Sequence, residues 1–432
     1  MRLSNALFVG AIACALVVAC SSGDDLQPPA SDAGPSPSPS EDAGVSADAD
    51  ANVGSDAGAP KPLDVQCAGD PCYVAIGGNG GRHVCGLLRD GTVRCWGRDT
   101  MLPATTLEDG SSVAADGALG RGRTVSILEA ATPAPVVGLS GVTKLSVGPN
   151  LGTCARTTDG AVHCWGRNDF GQLGRPPSEP SLAVPTRVIG IPPVDDVALG
   201  AQMGCAVASS SRALYCWGKT MDGLGVDAGG SETFPPHLVT SFPAPVHALA
   251  VGTWSDEDTV VALLTGNRLA SLGGSAMGDT SSIPPWTSPL ESLDVVRSWS
   301  FAWVASDGLL RRWRPIKGPL YVPALAPAVD VKISGGSESS QGGVLLSTGR
   351  LFRWGDNTSG ALGVAPESLL FGPHPLEVTQ VGTKVVSFAT TLGSTCASLV
   401  DGKVVCWGAN TFGELGRGTF DSLPHPKAEP IE

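Results

Sequence analysis

The chain has 432 residues, of which 42% are hydrophobic, 16% charged and only 5% aromatic, so it has the material for a large core. Its 57 Gly and 35 Pro argue against long amphipathic helices and favour a turn-rich β structure. A formal net charge of −13 excludes the basic surface that nucleic-acid binding needs.

The chain opens "MRLSNALFVGAIACALVVAC", with one early Arg, an apolar run from Ala6 to Ala19, and small residues before a cysteine. This is a secretory signal over residues 1–20, too short for a comfortable membrane span. The tetrad Val17-Val18-Ala19-Cys20 resembles the bacterial lipobox. That resemblance implies that Cys20 is lipidated, becomes the new N-terminus and anchors the chain; a plain cleaved signal is the alternative. Ser21 stands where Asp would imply retention at the inner membrane, which points to the outer membrane.

Residues 21–62 contain almost no large apolar side chain and form a disordered Ala/Asp/Ser/Pro-rich tether. Seven Asp and one Glu lie here, with no basic residue before Lys61, which leaves about −6 of the formal charge for the rest. As a flexible coil the tether reaches roughly 35 Å.

From residue 63 to 432 one pattern recurs. "HVCGLLRDGTVRCWG", "GTCARTTDGAVHCWG" and "MGCAVASSSRALYCWG" end at Gly97, Gly166 and Gly218. Three degenerate copies follow, and "STCASLVDGKVVCWG" ends at Gly408. The key positions Trp96, Trp165, Trp217, Leu272, Trp313, Trp354 and Trp407 stand 41 to 69 residues apart, a spacing that signals a propeller or a solenoid. Each copy reads as an alternating strand, a second apolar strand, a turn such as Asp159-Gly160 or Asp401-Gly402, a third strand ending in Trp-Gly, and a Pro-led fourth strand. The expected fold is therefore all-β: a seven-bladed propeller of four-stranded antiparallel blades, with the strands of each repeat denoted A to D.

The units "WGRNDFGQLG" (165–174), "WGDNTSGALG" (354–363) and "WGANTFGELG" (407–416) resemble the repeat of the regulator of chromosome condensation family, whose fold is a seven-bladed propeller. In the first copy the Leu-Gly pair is delayed to Leu119-Gly120, so 98–116 reads as an insertion; the fourth copy lacks Trp, and the fifth lacks Leu-Gly. The resemblance implies a binding module, of the kind that captures or inhibits another exported protein.

The cysteines pair by spacing across the B–C turn: Cys85 with Cys95, Cys154 with Cys164, Cys205 with Cys216, and Cys396 with Cys406. In the degenerate copies both members are lost together, as at Gly343 and Arg353, which argues for disulfides within each hairpin. Cys67 and Cys72 form a fifth candidate pair. Zinc is the rival reading, but paired thiolate ligands usually stand two to four residues apart, not ten.

The six histidines are scattered, and neither a nucleophile elbow nor a phosphate loop occurs, so the reading is non-enzymatic, with no catalytic residue, metal or cofactor. An envelope glycan-binding or glycan-acting protein is the second class. The A-to-B and C-to-D connections emerge at one end and carry the long or aromatic segments. Arg82, Asn150, Met203, Trp254, Asp256, Trp299, Phe301 and Glu338 are the candidate binding residues there. Trp299 is equally suited to filling the core of a degenerate copy. The expected partner is an exported or cell-surface protein bound by a monomer, with no nucleic acid.

Overall fold

The computed structural model describes residues 61–100, 116–177, 182–219, 233–242, 244–254, 257–265, 268–273, 290–296, 300–305, 310–314, 318–321, 327–334 and 341–432. They belong to one compact unit, Gly58–Glu432. The signal, Cys20 and the tether up to residue 60 lie outside the described residues.

The strands are taken in chain order. The first repeat holds β1 (Tyr73–Gly77), β2 (His83–Leu88), β3 (Val93–Gly97) and β4 (Ala134–Pro135). The second holds β5 (Val142–Val147), β6 (Gly152–Thr157), β7 (Val162–Gly166) and β8 (Leu182–Arg187). The third holds β9 (Val194–Leu199), β10 (Met203–Ala208), β11 (Leu214–Lys219) and β12 (Thr233–Leu238). The fourth holds β13 (Val246–Trp254), β14 (Glu257–Leu264) and β15 (Arg268–Leu272). The fifth holds β16 (Leu290–Val296), β17 (Ser300–Ala305), β18 (Leu310–Arg314) and β19 (Gly318–Tyr321). The sixth holds β20 (Ala328–Ser334), β21 (Gln341–Leu346), β22 (Leu351–Asp356) and β23 (Phe371–Glu377). The seventh holds β24 (Val385–Thr390), β25 (Ser394–Leu399), β26 (Val404–Asn410) and β27 (Asp421–Pro430).

Every sheet is an antiparallel meander in sequence order. The expectation of seven four-stranded blades is corrected: six sheets have four strands, and β13–β15 form a sheet of three among the described residues. Residues 274–289, which follow β15 in the fourth repeat, lie outside the described residues.

The B–C turns show how the repeat begins. Thr157 N–H donates to Ala161 C=O and Gly160 N–H to Thr157 C=O, both at 2.9 Å. Gly160 has φ 76°, so the hairpin has a three-residue loop closed by a left-handed glycine, not a two-residue turn. Asp159 accepts from the Thr157 hydroxyl and from Ala161 N–H, and the Thr157 bond chiefly holds its carboxyl below the usual range. In the third repeat the loop is one residue longer, and Arg212 takes the left-handed position at φ 57°.

These loops set the register that pairs the cysteines. Cys85–Cys95, Cys154–Cys164, Cys205–Cys216 and Cys396–Cys406 are cross-strand partners joined as disulfides, each with Cα atoms 4.1 Å apart. Cys67 is joined to Cys72. In the sixth repeat the corresponding pair is Gly343 and Arg353. The Phe388 ring reaches within 2.8 Å of where a Gly343 Cβ would sit, so the ring and the Arg353 stem fill the place of a bridge. The Arg353 guanidinium is fully buried without a hydrogen-bond partner, and burial pulls its pKa down to about 9.

Because side chains alternate along a strand, the Trp after each second Cys faces the preceding repeat. Cys154 and Cys164 share a core with Trp217, Cys85 and Cys95 share one with Trp165, and Cys396 and Cys406 share one with Trp96. The last grouping closes the ring between the seventh and first repeats. The N-terminal segment adds to the seam, since Gln66 N–H donates to Val400 C=O and Tyr73 N–H to Gly402 C=O. The outer strands carry Pro185, Pro235, Pro236, Pro319, Pro424 and Pro426, which blunt their free edges against further strand pairing.

His83 is fully buried between the first two repeats, with Nε2 2.8 Å from the Thr153 hydroxyl, and burial lowers its pKa to about 4. Between pH 6.5 and 4 the unfolded chain binds the proton that the folded chain refuses, so this residue's contribution falls with pH across that window. Its full size is about 3 kcal/mol. Denaturant titrations of wild type and His83→Gln at pH 7.5 and 4.5 should show the stability gap between them shrink or reverse at the lower pH. A pH-independent gap would contradict the burial of a neutral imidazole.

A candidate binding face

The end of the sheets that carries the A-to-B and C-to-D connections is built by the Trp-Gly pair. Gly166 lies at φ 99°, and a Cβ there would fall 2.1 Å from the Leu151 carbonyl oxygen, so no other residue fits. Arg167 N–H then donates to the same carbonyl at 3.1 Å. The arrangement recurs at Arg98 and Arg82, Lys219 and Gln202, and Ala409 and Gly393. Each third strand is thereby tied to the A-to-B turn of its own repeat, and both connections are held side by side.

The C-to-D loop is organised by a buried residue three positions after Trp. Asn168 accepts from Leu173 N–H, Asn357 from Leu362 N–H and Asn410 from Leu415 N–H, while their amides donate to loop carbonyls. In the first repeat Asp99 takes the position and accepts from Leu119 and Val125 N–H across the insertion. Burial raises the Asp99 pKa, and those two bonds oppose the rise.

The carbonyl just before each ordered Leu-Gly pair receives the next repeat's indole. Trp165 Nε1–H donates to Ala118, Trp217 to Gln172, Trp407 to Ala361, and Trp96 to Glu414, at 2.8 to 3.0 Å. Trp354 Nε1 has no acceptor, and the repeat before it lacks the Leu-Gly pair. A different latch joins the third and fourth repeats. The buried Asp258 carboxylate accepts from Ala201, Gln202 and Met203 N–H and from the Thr253 hydroxyl, and its desolvation raises its pKa.

The expected binding residues divide. Arg82 is half-buried on this face, its guanidinium 4.8 Å from the Phe412 ring centre; Arg98 lies 4.4 Å from the same centre. Asn150 is half-buried, accepts from Arg167 at 2.8 Å, and stiffens the face. Met203 is 1% exposed and lies in the core of the third repeat, so it is not a surface residue. It begins strand β10, where alternation turns it inward. Trp254 ends β13 and Phe301 lies within β17, which places each by backbone only. Asp256, Trp299 and Glu338 lie outside the described residues, as does most of the insertion.

What the sequence reading missed lies at the seam of the seventh and first repeats. A four-residue helix, α1 (Ile127–Ala130), is capped by Ser126 and Glu129, whose side chains reciprocally bond each other's N–H groups. The Ser-x-x-Glu capping signature was legible, but it sits just beyond the insertion that drew attention. Between α1 and Phe412 is a cavity of about 400 Å³, lined by Gly97, Arg98, Thr124, Val125, Ile127 and Phe412 among others. Leu392, 50% exposed, lies in the A-to-B turn of the seventh repeat, and its N–H donates to Gly81 C=O in that of the first. Among the described residues no group of three or more His, Cys, Asp or Glu is placed to hold a metal.

Comparison with known proteins accords with this construction. Two models of the regulator of chromosome condensation (RCC1) repeat match, one over residues 159–207 and one over 74–101 and 142–172. The human E3 ubiquitin-protein ligase HERC2 is 28% identical over 327 residues, and the Arabidopsis thaliana ultraviolet-B receptor UVR8 is 27% identical over 315. Each match covers 72% of this chain but only 6% of HERC2 and 62% of UVR8. The crystal structure of Prp20p from Saccharomyces cerevisiae superimposes with a TM-score of 0.62 at 18% identity, covering 84% of this chain and 87% of that one. Repeat sequence and fold agree: this chain carries RCC1 repeats on an all-β propeller.

Proposed function

We propose that this chain is a protein-binding module without a catalytic role, exported and held at the cell envelope by lipid on Cys20, and that it engages its partner through the A-to-B and C-to-D face. The observation that carries the reading is the construction of that face. The Trp-Gly clamp holds both connections rigidly in register, Arg82 lies over Phe412 beside an apolar cavity, and exposed Leu392 is tied to the adjoining A-to-B turn. Aromatic and Arg anchors beside a pocket are where interfaces concentrate their energy. The fold relatives support a protein partner: Prp20p is described with binding to Gsp1p and histones, and yeast RCC1 (Prp20) with bound Kap60. Export and anchoring rest on the sequence of residues 1–20, and the tether would hold the propeller clear of a lipid surface.

Two measurements test this. Mass spectrometry of the mature N-terminus should find acylated Cys20, and Cys20→Ala should release or trap the protein; an unmodified terminus elsewhere would end the anchoring claim. In cells, a photo-reactive residue at Leu392 should crosslink one envelope protein, whereas the same residue at Asp401, in the B–C turn of the opposite end, should not. Crosslinks only from Asp401, or only to glycan, would reverse the reading.

A further inference from the structure

We infer that the interface between the sixth and seventh repeats binds a small inorganic anion of the halide class, held by the buried guanidinium of Arg353 with the hydroxyl of Thr390 as a second donor. The site is independent of the binding face and of the reading built on it.

The charge comes first. Arg353 stands opposite Gly343, in the register that holds a disulfide in four other repeats, and it is fully buried with Nε and both terminal nitrogens lacking a hydrogen-bond partner. A guanidinium is a donor only, so nothing within it offsets the loss of water. Burial is what lowers its pKa, to about 9, and no carboxylate acts to raise it. It is therefore still a cation at neutral pH. A cation removed from water without a counter-charge is among the costliest groups that a fold can bury. Water supplies acceptors but no charge; an anion supplies both.

The acids around it are spent elsewhere. Side chains alternate along a strand, so Asp330 and Lys332 of β20 lie on the same face of the sixth sheet as Gly343 and Arg353. They pair with each other, Lys332 Nζ standing 2.9 Å from the Asp330 carboxylate. Glu377, on the outer strand beside β22, is bound to Arg350. Strand β24, which packs on this face from the seventh repeat, has the sequence VVSFAT and carries no charge.

The surroundings set the class of ion. The Phe388 ring lies against Gly343 and the Arg353 stem, and Leu345, Leu351, Val385 and Trp407 belong to the same core. Packing of this kind suits an ion of a single atom and excludes an organic anion with a body of its own. Thr390 alternates with Phe388 along β24 and so faces the same interface; it is fully buried, and its hydroxyl has no partner. A guanidinium is more weakly hydrated than an ammonium, so it exchanges water for a halide at lower cost. The exchange of residues is also not confined to one repeat. In the fifth, Ala302 is paired with Arg312 in the same register, again a small residue opposite an arginine where a neutral disulfide stands elsewhere.

The test uses the full chain in sodium gluconate, with gluconate replaced stepwise by chloride at constant ionic strength. The melting temperature should rise saturably, by about 3 °C at chloride well above half-saturation. Arg353→Met should abolish the rise, and in gluconate alone it should melt no lower than wild type, because an apolar side chain replaces an uncompensated charge. Thr390→Val removes one donor and leaves the cation, so it should raise the half-saturating chloride concentration about threefold or more. Chloride-35 line broadening on the wild-type protein, reversed by bromide, reads the ion directly and does not depend on either variant folding. Saturable stabilisation lost in Arg353→Met, or bromide-reversible broadening, supports the inference. An equal chloride response in wild type and Arg353→Met, or a wild-type protein with neither stabilisation nor broadening, overturns it and leaves crosslinking at Leu392 to decide the binding face separately.

Discussion

Reducing the four hairpin disulfides should lower the stability of the propeller by about 10 kcal/mol, enough to bring it near the unfolding threshold. Each bridge closes a loop of ten or eleven residues, which in the chain-entropy model stabilises by about 2.5 to 3 kcal/mol. Whole-domain stabilities are themselves only about 5 to 15 kcal/mol. Reducing Cys67–Cys72 should add less, since it closes a loop of only five residues outside the strands. Calorimetry after reduction in mild denaturant, with free thiols counted, reads the result. An unchanged melting temperature with all ten thiols free would show that packing alone sustains the hairpins.

The second large effect concerns the indoles. Trp165→Ala should cost about 3 to 5 kcal/mol, because a fully buried aromatic is removed from the contact between two repeats. Trp→Phe separates packing from hydrogen bonding. At Trp96, Trp165, Trp217 and Trp407 it strands a buried carbonyl, a loss of about 1 to 3 kcal/mol beyond the change in volume. At Trp354 no such bond exists, so Trp354→Phe should be the mildest of the five. Trp96→Phe is the most informative, since its bond to Glu414 spans 318 residues and joins the chain's first and last repeats. Equal losses at all five positions, measured by urea denaturation, would remove the indole bond from the account.

The repeat was legible because its parts are stereochemically demanding. A Trp-Gly pair marks a left-handed turn under a carbonyl, and a cysteine either side of a tight turn marks facing strand positions. Relations between repeats were not legible in the same way. The acceptors of the indole bonds are backbone carbonyls, which any residue supplies: Ala118, Gln172, Ala361 and Glu414 share no side-chain chemistry. Asp258 belongs to no repeated motif, yet strand alternation along β14 turns it inward onto three N–H groups of the neighbouring repeat. Met203 was misplaced for the same reason, since period-two alternation makes a one-residue error exchange core for surface. Asp99 carries the role of the loop Asn through a different residue type, which hid the equivalence across the insertion.

The most direct test of the account is hydrogen–deuterium exchange on the purified chain alone and in complex with the protein crosslinked at Leu392. The account predicts added protection in Gly81–His83, Leu392–Ser394 and Asn410–Leu415, with no change at the B–C turns around Asp90, Asp159 and Asp401. Protection confined to those B–C turns, with the seam segments unaltered, would contradict it.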